Sequence, residues 1–96
     1  MKRFTIVFSP NALDDIEQAV IYYEQNQQGL GNRFISQLQN TLNVIDRNPF
    51  FASVRYNNIR CATLKKFPYL VHYYIDDSKK LVTIGAVYST YKQPLT

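Results

Sequence analysis

Arg60, Lys65, Lys66 and Lys92, with Arg55 nearby, are threaded among Tyr56, Tyr69, Tyr74, Tyr88 and Tyr91 in the second half of the chain. Cations that take phosphates, alternating with rings on which bases stack, are what a single-stranded RNA site needs. Tyrosine is also a good strand former, so the same rings fit plain sheet packing. His72, the one histidine, lies between Val71 and Tyr73 in an extended run. Alternation along a strand turns it away from both neighbours, to the side of Leu70 and Tyr74. No partner for it is visible in the sequence, so it reads as a structural or solvent-facing histidine rather than a catalytic base. Cys61 is the one cysteine, which excludes an internal disulfide and any multi-cysteine zinc site. No Gly-rich phosphate loop, His-Glu metal motif or serine nucleophile elbow occurs, and neither a metal nor another cofactor is expected.

Charge is divided unevenly along the chain. Residues 1–48 hold four Lys/Arg against five Asp/Glu, net −1, and residues 49–96 hold seven against two, net +5, giving the overall +4. The positive field therefore belongs to the C-terminal half and favours an acidic partner, nucleic acid or an acidic protein segment. With 46% hydrophobic and 15% aromatic residues the chain has the composition of a packed core. Its 96 residues leave room for one domain spanning 1–96. The longest apolar stretches, such as 69–75, fall far short of the ~20 residues that span a bilayer. Too few apolar residues separate Phe4 from Pro10 for a signal-peptide core. A soluble cytoplasmic protein without a membrane partner is expected.

The elements that must position these groups follow from the apolar pattern. Residues 4–8 are β-branched and aromatic and end at Ser9-Pro10, a strand running into a helix with Ser9 as N-cap and Pro10 in the first turn. Within 11–25, Ala12, Leu13, Ile16, Ala19, Val20 and Tyr23 recur at helical spacing. Asp14, Asp15 and Glu17 lie toward the end of this helix where the dipole favours negative charge. Gly29 suits the cap that closes it. Phe34, Ile35, Leu38, Leu42 and Ile45 outline a second helix running to Arg47 and stopped by Asn48-Pro49. So short a link makes the two an antiparallel hairpin. Beyond residue 50 the pattern becomes extended, with strands at 59–64, 69–75 and 81–88, the last two joined by the polar loop 76–80. The order β-α-α-β-β-β predicts an α+β fold, a helical hairpin packed on a mainly antiparallel four-stranded sheet.

Several segments, in order, resemble the toxins of the RelE/ParE superfamily of type II toxin–antitoxin systems. Residues 8–16, Phe-Ser-Pro-Asn-Ala-Leu-Asp-Asp-Ile, are similar to the family's strand-then-helix opening, and 29–34, Gly-Leu-Gly-Asn-Arg-Phe, to its helix-to-helix turn. Ile59-Arg60, then Leu64-Lys65-Lys66-Phe67-Pro68-Tyr69 leading to His72-Tyr73-Tyr74-Ile75, resembles its Arg…Lys-Arg-Phe-Pro-Tyr…Tyr segment. Residues 86–94 are like its Ala-Val-aromatic-His-x-x-Arg-x-Pro ending, with Ser89 in place of the His and Lys92 in place of the Arg.

The resemblance implies a growth-inhibiting toxin, and RNA cleavage is the first reading. In the RNA-cleaving members basic side chains hold the scissile phosphate while the ribose 2′-OH attacks. By position, Arg60, Lys65 or Lys66 and Lys92 would stabilise the developing charge here, and Tyr91 would serve in acid–base work, without a metal, on ribosome-bound mRNA. Lysine at 92 keeps the charge but loses the bidentate fork, and Ser89 cannot act as a base near neutral pH. Those departures favour a second reading, a ParE-like poison that inhibits DNA gyrase without catalysis. A third is a member that has lost toxicity and survives as an antitoxin-binding scaffold. In each case the resemblance implies a cognate antitoxin laying an extended segment and a helix over the toxin, with operator DNA bound only through that antitoxin. Lys65 and Lys66 are adjacent, so only one of them would share a strand face with Arg60.

Overall fold

In the computed structural model, which describes residues 3–90, Ser9 marks the point where the first strand becomes a helix. Strand β1 (Thr5–Phe8) hands over to α1 (Pro10–Asn26) with Ser9 extended. The Ser9 hydroxyl accepts from the backbone N–H of Ala12 at 3.1 Å and donates to the carbonyl of Gly85 at 3.0 Å. One side chain thus caps the helix and ties it to the far end of the sequence.

The turn to α2 (Leu30–Arg47) is built differently from the expectation. Gln27 closes α1, and Gly29 instead stands at the N-cap of α2 with φ of 88°, a left-handed conformation that glycine adopts without the Cβ penalty. The carboxylate of Glu24 accepts from the N–H groups of Gly29 and Gly31, each at 3.0 Å. Negative charge on the free donors of a helix N-terminus is favourable, so α2 begins at Leu30, a turn earlier than its apolar spacing implied. At Gly31 the helices nearly touch. A Cβ there would lie 2.9 Å from a Glu24 oxygen and 3.2 Å from the carbonyl oxygen of Val20.

Past the hairpin come β2 (Val54–Tyr56), β3 (Ile59–Thr63), β4 (Tyr69–Asp76) and β5 (Leu81–Ser89), in the sheet order β1-β5-β4-β3-β2. The α+β fold with a helical hairpin on one sheet is the expected one, with a fifth strand added. That strand, β2, is three residues long and pairs with β3 across Asn57-Asn58, whose φ values of 42° and 65° make a tight hairpin turn. Strand β1 lies parallel to β5, and the other pairings are antiparallel. Parallel neighbours need a long crossover, and here it comprises the helical hairpin followed by β2, β3 and β4.

Apolar side chains of the helices meet one face of the sheet. Phe34, Leu38 and Ile45 of α2 and Ala12 and Ala19 of α1 are buried against Val71, Tyr73, Val82, Ile84 and Val87. Phe34 is fully enclosed, its ring 5.6, 5.3 and 5.0 Å from those of Tyr23, Phe67 and Tyr69. Side chains of this kind stabilise by about 1.5–3 kcal/mol each when buried. Strand β5 changes character at Gly85. There the pairing with β4 shifts register, from Tyr73 opposite Ile84 to His72 opposite Ala86, so Gly85 is the extra residue of a bulge. Ahead of it Val82 and Ile84 face the core, and after it Val87 does.

Replacement of Gly31 by Ala is expected to lower the unfolding free energy by about 1 kcal/mol, because the methyl group displaces the Glu24 carboxylate from the start of α2 and crowds the Val20 carbonyl, which outweighs the gain in helix propensity. Urea denaturation measures it, and an unchanged midpoint would mean the helices are not pressed together at this point.

Candidate functional site on the open sheet face

Strands β2, β3, β4 and β5 each contribute one side chain to a cluster on the face turned away from the helices. Cys61 and His72 are cross-strand partners, so their side chains share that face. Tyr56 reaches the pair from β2. Its hydroxyl lies 3.0 Å from Nδ1 of His72, and the Cys61 sulfur lies 3.3 Å from the same nitrogen. The ring of Tyr88 stands nearly perpendicular to the imidazole, with centroids 4.7 Å apart. His72 thus faces away from Val71 and Tyr73, as strand alternation predicts. It is nevertheless only 4% exposed, and of the two readings of it the structural one holds.

Three titratable groups in the cluster are held uncharged near neutral pH. Burial pushes the Cys61 thiol up, against the opposing pull of Arg55, which is close enough to hydrogen-bond it. Burial also raises the Tyr56 hydroxyl, with Tyr88 and Cys61 adding to the effect. His72 is held below its ordinary value by burial first and by the charge of Arg55 second, with Asp15 acting the other way. A neutral imidazole has one N–H and one lone pair. A phenol and a thiol share Nδ1, which accepts or donates according to the tautomer. Nε2 is buried and has no hydrogen-bond partner among the described residues. A polar group left so costs about 1–3 kcal/mol. The arrangement is closed, and its imidazole does not present a base to solvent.

The cations singled out from sequence do not converge on it. Arg60 pairs with Tyr73 across β3 and β4, which puts its side chain on the helix-covered face. Its Nη1 donates to the carbonyls of Ala52 at 2.5 Å and Phe50 at 3.3 Å, and its guanidinium lies 5.2 Å from the centre of the Phe50 ring. The Tyr73 hydroxyl donates to the carbonyl of Pro49 at 2.7 Å, so two side chains fix the segment 49–52. Lys65 and Lys66 lie beyond β3 in an exposed bend, Lys66 with φ of 70°. Strand alternation therefore does not govern them. Lys65 borders a cleft of about 440 Å³ beside Thr41, Val44 and Arg47 of α2. Lys66 borders another, beside Arg33 and Tyr23. Tyr91 and Lys92 lie outside the described residues. Of the described basic residues considered, Arg55 is the one brought to the open-face cluster. The sequence held one local signal for that cluster, the Asn57-Asn58 pair that folds β2 back onto β3.

Among the described residues no group of three or more His, Cys, Asp or Glu is placed to hold a metal ion, and no helix is long and apolar enough to cross a membrane. The family model described as the ParE toxin of the type II toxin–antitoxin system parDE matches residues 6–94. No curated protein matches the chain by sequence. Among solved structures, a chain of the chromosomal ParDE toxin–antitoxin system of P. aeruginosa superimposes with a TM-score of 0.77 at 11% identity, over 90% of this chain and 95% of that one. A chain of the intact E. coli RelBE toxin–antitoxin complex does so with 0.70 at 20% identity, over 93% and 98%. The isolated E. coli RelE toxin gives 0.69 at 18% identity, over 96% and 88%. At such identities the likeness shows a shared fold.

The buried neutral imidazole makes stability depend on pH. Because His72 binds its proton less readily folded than unfolded, the unfolded chain gains a proton first as pH falls. Stability is complete above the ordinary histidine value of 6.5 and declines below it, by up to about 1.4 kcal/mol per pH unit. His72 is the one histidine, so His72→Gln is expected to flatten the dependence between about pH 6.5 and pH 5. Denaturation midpoints measured across that range check it, and an unchanged slope in the variant would contradict the assignment.

Proposed function

The chain belongs to the ParE toxin family of type II toxin–antitoxin systems, and from that membership we propose that it is the toxin of such a pair and acts by binding its target, DNA gyrase, without a catalytic step. The observation that supports this reading is the divergence of Arg60, Lys65 and Lys66. Attack by a ribose 2′-OH needs a base and cations within hydrogen-bond reach of one phosphate. Arg60 is engaged by the carbonyls of Phe50 and Ala52, the two lysines border separate clefts beside α2, and the imidazole is enclosed. A binding poison needs a shaped surface and none of that convergence.

Metal-independent cleavage of ribosome-bound mRNA is the second reading. Arg55, Tyr56 and Tyr88 gathered around His72 favour it, since together they supply a cation and stacking rings on one face. On this reading Tyr91 and Lys92 have the acid–base and phosphate-holding roles that the resemblance implies. On either reading a cognate antitoxin is the partner, as in the ParDE and RelBE toxin–antitoxin systems with the same fold. An acidic extended segment suits the half that carries +5. Operator DNA would be bound through the antitoxin, and the site of action is the cytoplasm.

Purified protein is expected to inhibit gyrase supercoiling, and expression of the chain alone is expected to arrest growth with mRNA ends unchanged. Full supercoiling at saturating protein would remove the gyrase reading. Codon-linked cuts in mapped mRNA ends would establish the second.

A further inference from the structure

The bulge at Gly85 leaves an unusual site where β5 runs past the end of β1. Beyond Ile84, strand β1 no longer lies beside β5. In its place the carboxylate of Asp15 on α1 accepts from the backbone N–H of Val87 at 3.0 Å. Between this half of α1 and the end of β5 opens a cleft of about 540 Å³. Asp14, Asp15, Tyr22, Tyr69 and Tyr88 contribute to its walls, and among the described residues lining it none is Lys or Arg.

In a chain of net charge +4 this is an acidic cleft walled by aromatic rings, sharing Tyr23 and Pro68 with the cleft that Arg33 and Lys66 border. The proton of the Tyr69 hydroxyl is harder to remove here, through burial first, then Tyr23, Tyr22 and Asp15. Acceptor oxygens are crowded here, so a ligand must bring donors and positive charge. The rings offer electron-rich faces, which favour a cation that can lie flat on them. An ammonium meets the charge requirement alone. A guanidinium meets both, with five N–H donors in one plane matched to a carboxylate.

We propose that the cleft between α1 and the end of β5 is a guanidinium receptor, filled by an arginine side chain presented by a partner protein segment. The carboxylates of Asp14 and Asp15 take its N–H groups, and Tyr22 and Tyr88 flank its plane. Binding at this cleft does not depend on which target the toxin hits, so the supercoiling result leaves it untouched.

Nitrogen-15 NMR titration of the full chain with a capped Gly-Arg-Gly peptide, and with its neutral citrulline counterpart, tests it. Shift changes are expected at the amides of Asp14, Asp15, Tyr22 and Tyr69, with citrulline binding roughly tenfold more weakly for want of the charge-assisted bonds. Asp14 and Tyr22 are exposed and outside the core. Asp14→Asn and Tyr22→Ala are therefore expected to leave the melting temperature near its original value while weakening the arginine peptide about three- to tenfold each. Lys92→Ala should leave the affinity unchanged. Equal binding of the arginine and citrulline peptides, or shifts confined to the His72 face, would overturn the proposal. A gain of roughly tenfold or more on Lys92→Ala would overturn it too, because the chain's own lysine would then be the occupant.

Discussion

Everything in this molecule that bears on function is set by the way β5 changes partners at Gly85. Up to Ile84 the strand has β1 on one side and β4 on the other. One extra residue then reverses the facing of every side chain after it. Val87 turns into the core and Tyr88 turns out, onto His72. Without the bulge Tyr88 would point at the helices and Val87 at solvent, and the cluster around the imidazole would lose one wall. The same irregularity frees the β5 edge for Asp15. Ser9 holds it in place, its backbone N–H on the Ile84 carbonyl at 2.9 Å and its hydroxyl on that of Gly85. The first helix is thereby fixed to the last strand by contacts that span almost the whole sequence.

The distribution of cations follows from a second pair of constraints. Tyr73 and Arg60 are cross-strand partners on the covered face, and both reach the segment leaving α2, through the carbonyls of Pro49, Phe50 and Ala52. A buried backbone carbonyl needs a donor, and here a phenol and a guanidinium provide them. Arg60 is therefore committed to holding the segment that positions β2, and β2 in turn delivers Arg55 and Tyr56 to the other face. The positive charge that reaches the open sheet comes from Arg55, as an indirect result of Arg60 being occupied elsewhere.

Much of this fold is legible in the sequence because it rests on local rules. Ser9-Pro10 starts a helix, Asn48-Pro49 stops one, and the apolar spacing from Phe34 to Ile45 names the buried stripe of α2. Long-range pairing is what the sequence does not display. The length of α2 depends on Glu24 reaching across to Gly29 and Gly31, which replaces a side-chain cap that no residue at the start of α2 provides. The facing of Tyr88 depends on a bulge with no mark beyond a glycine. The adjacency of Tyr56, Cys61 and His72 depends on a strand of three residues that carries too short an alternating pattern to read. Lys65 and Lys66 fall in a bend, so the strand rule that separated them was applied outside its domain.

The two charge halves of the sequence become two surfaces in space. Basic groups of the C-terminal half border α2 through Lys65 and Lys66, where Arg33 and Arg47 of the helix join them. Asp14 and Asp15 of α1 line a second cleft at the end of β5, among tyrosines, which shares Tyr23 and Pro68 with the cleft that Arg33 and Lys66 border. Opposite signs on one small protein set the register of a partner more strictly than a uniform field, since a segment displaced along the surface meets like charge. A segment that is acidic along most of its length and basic at one point would fit both surfaces in a single orientation. The imidazole cluster on the open sheet is closed, and Arg55 gives it a cation of its own. Complementary signs on neighbouring clefts suit recognition. A site built to stabilise a developing negative charge would have had its cations turned inward.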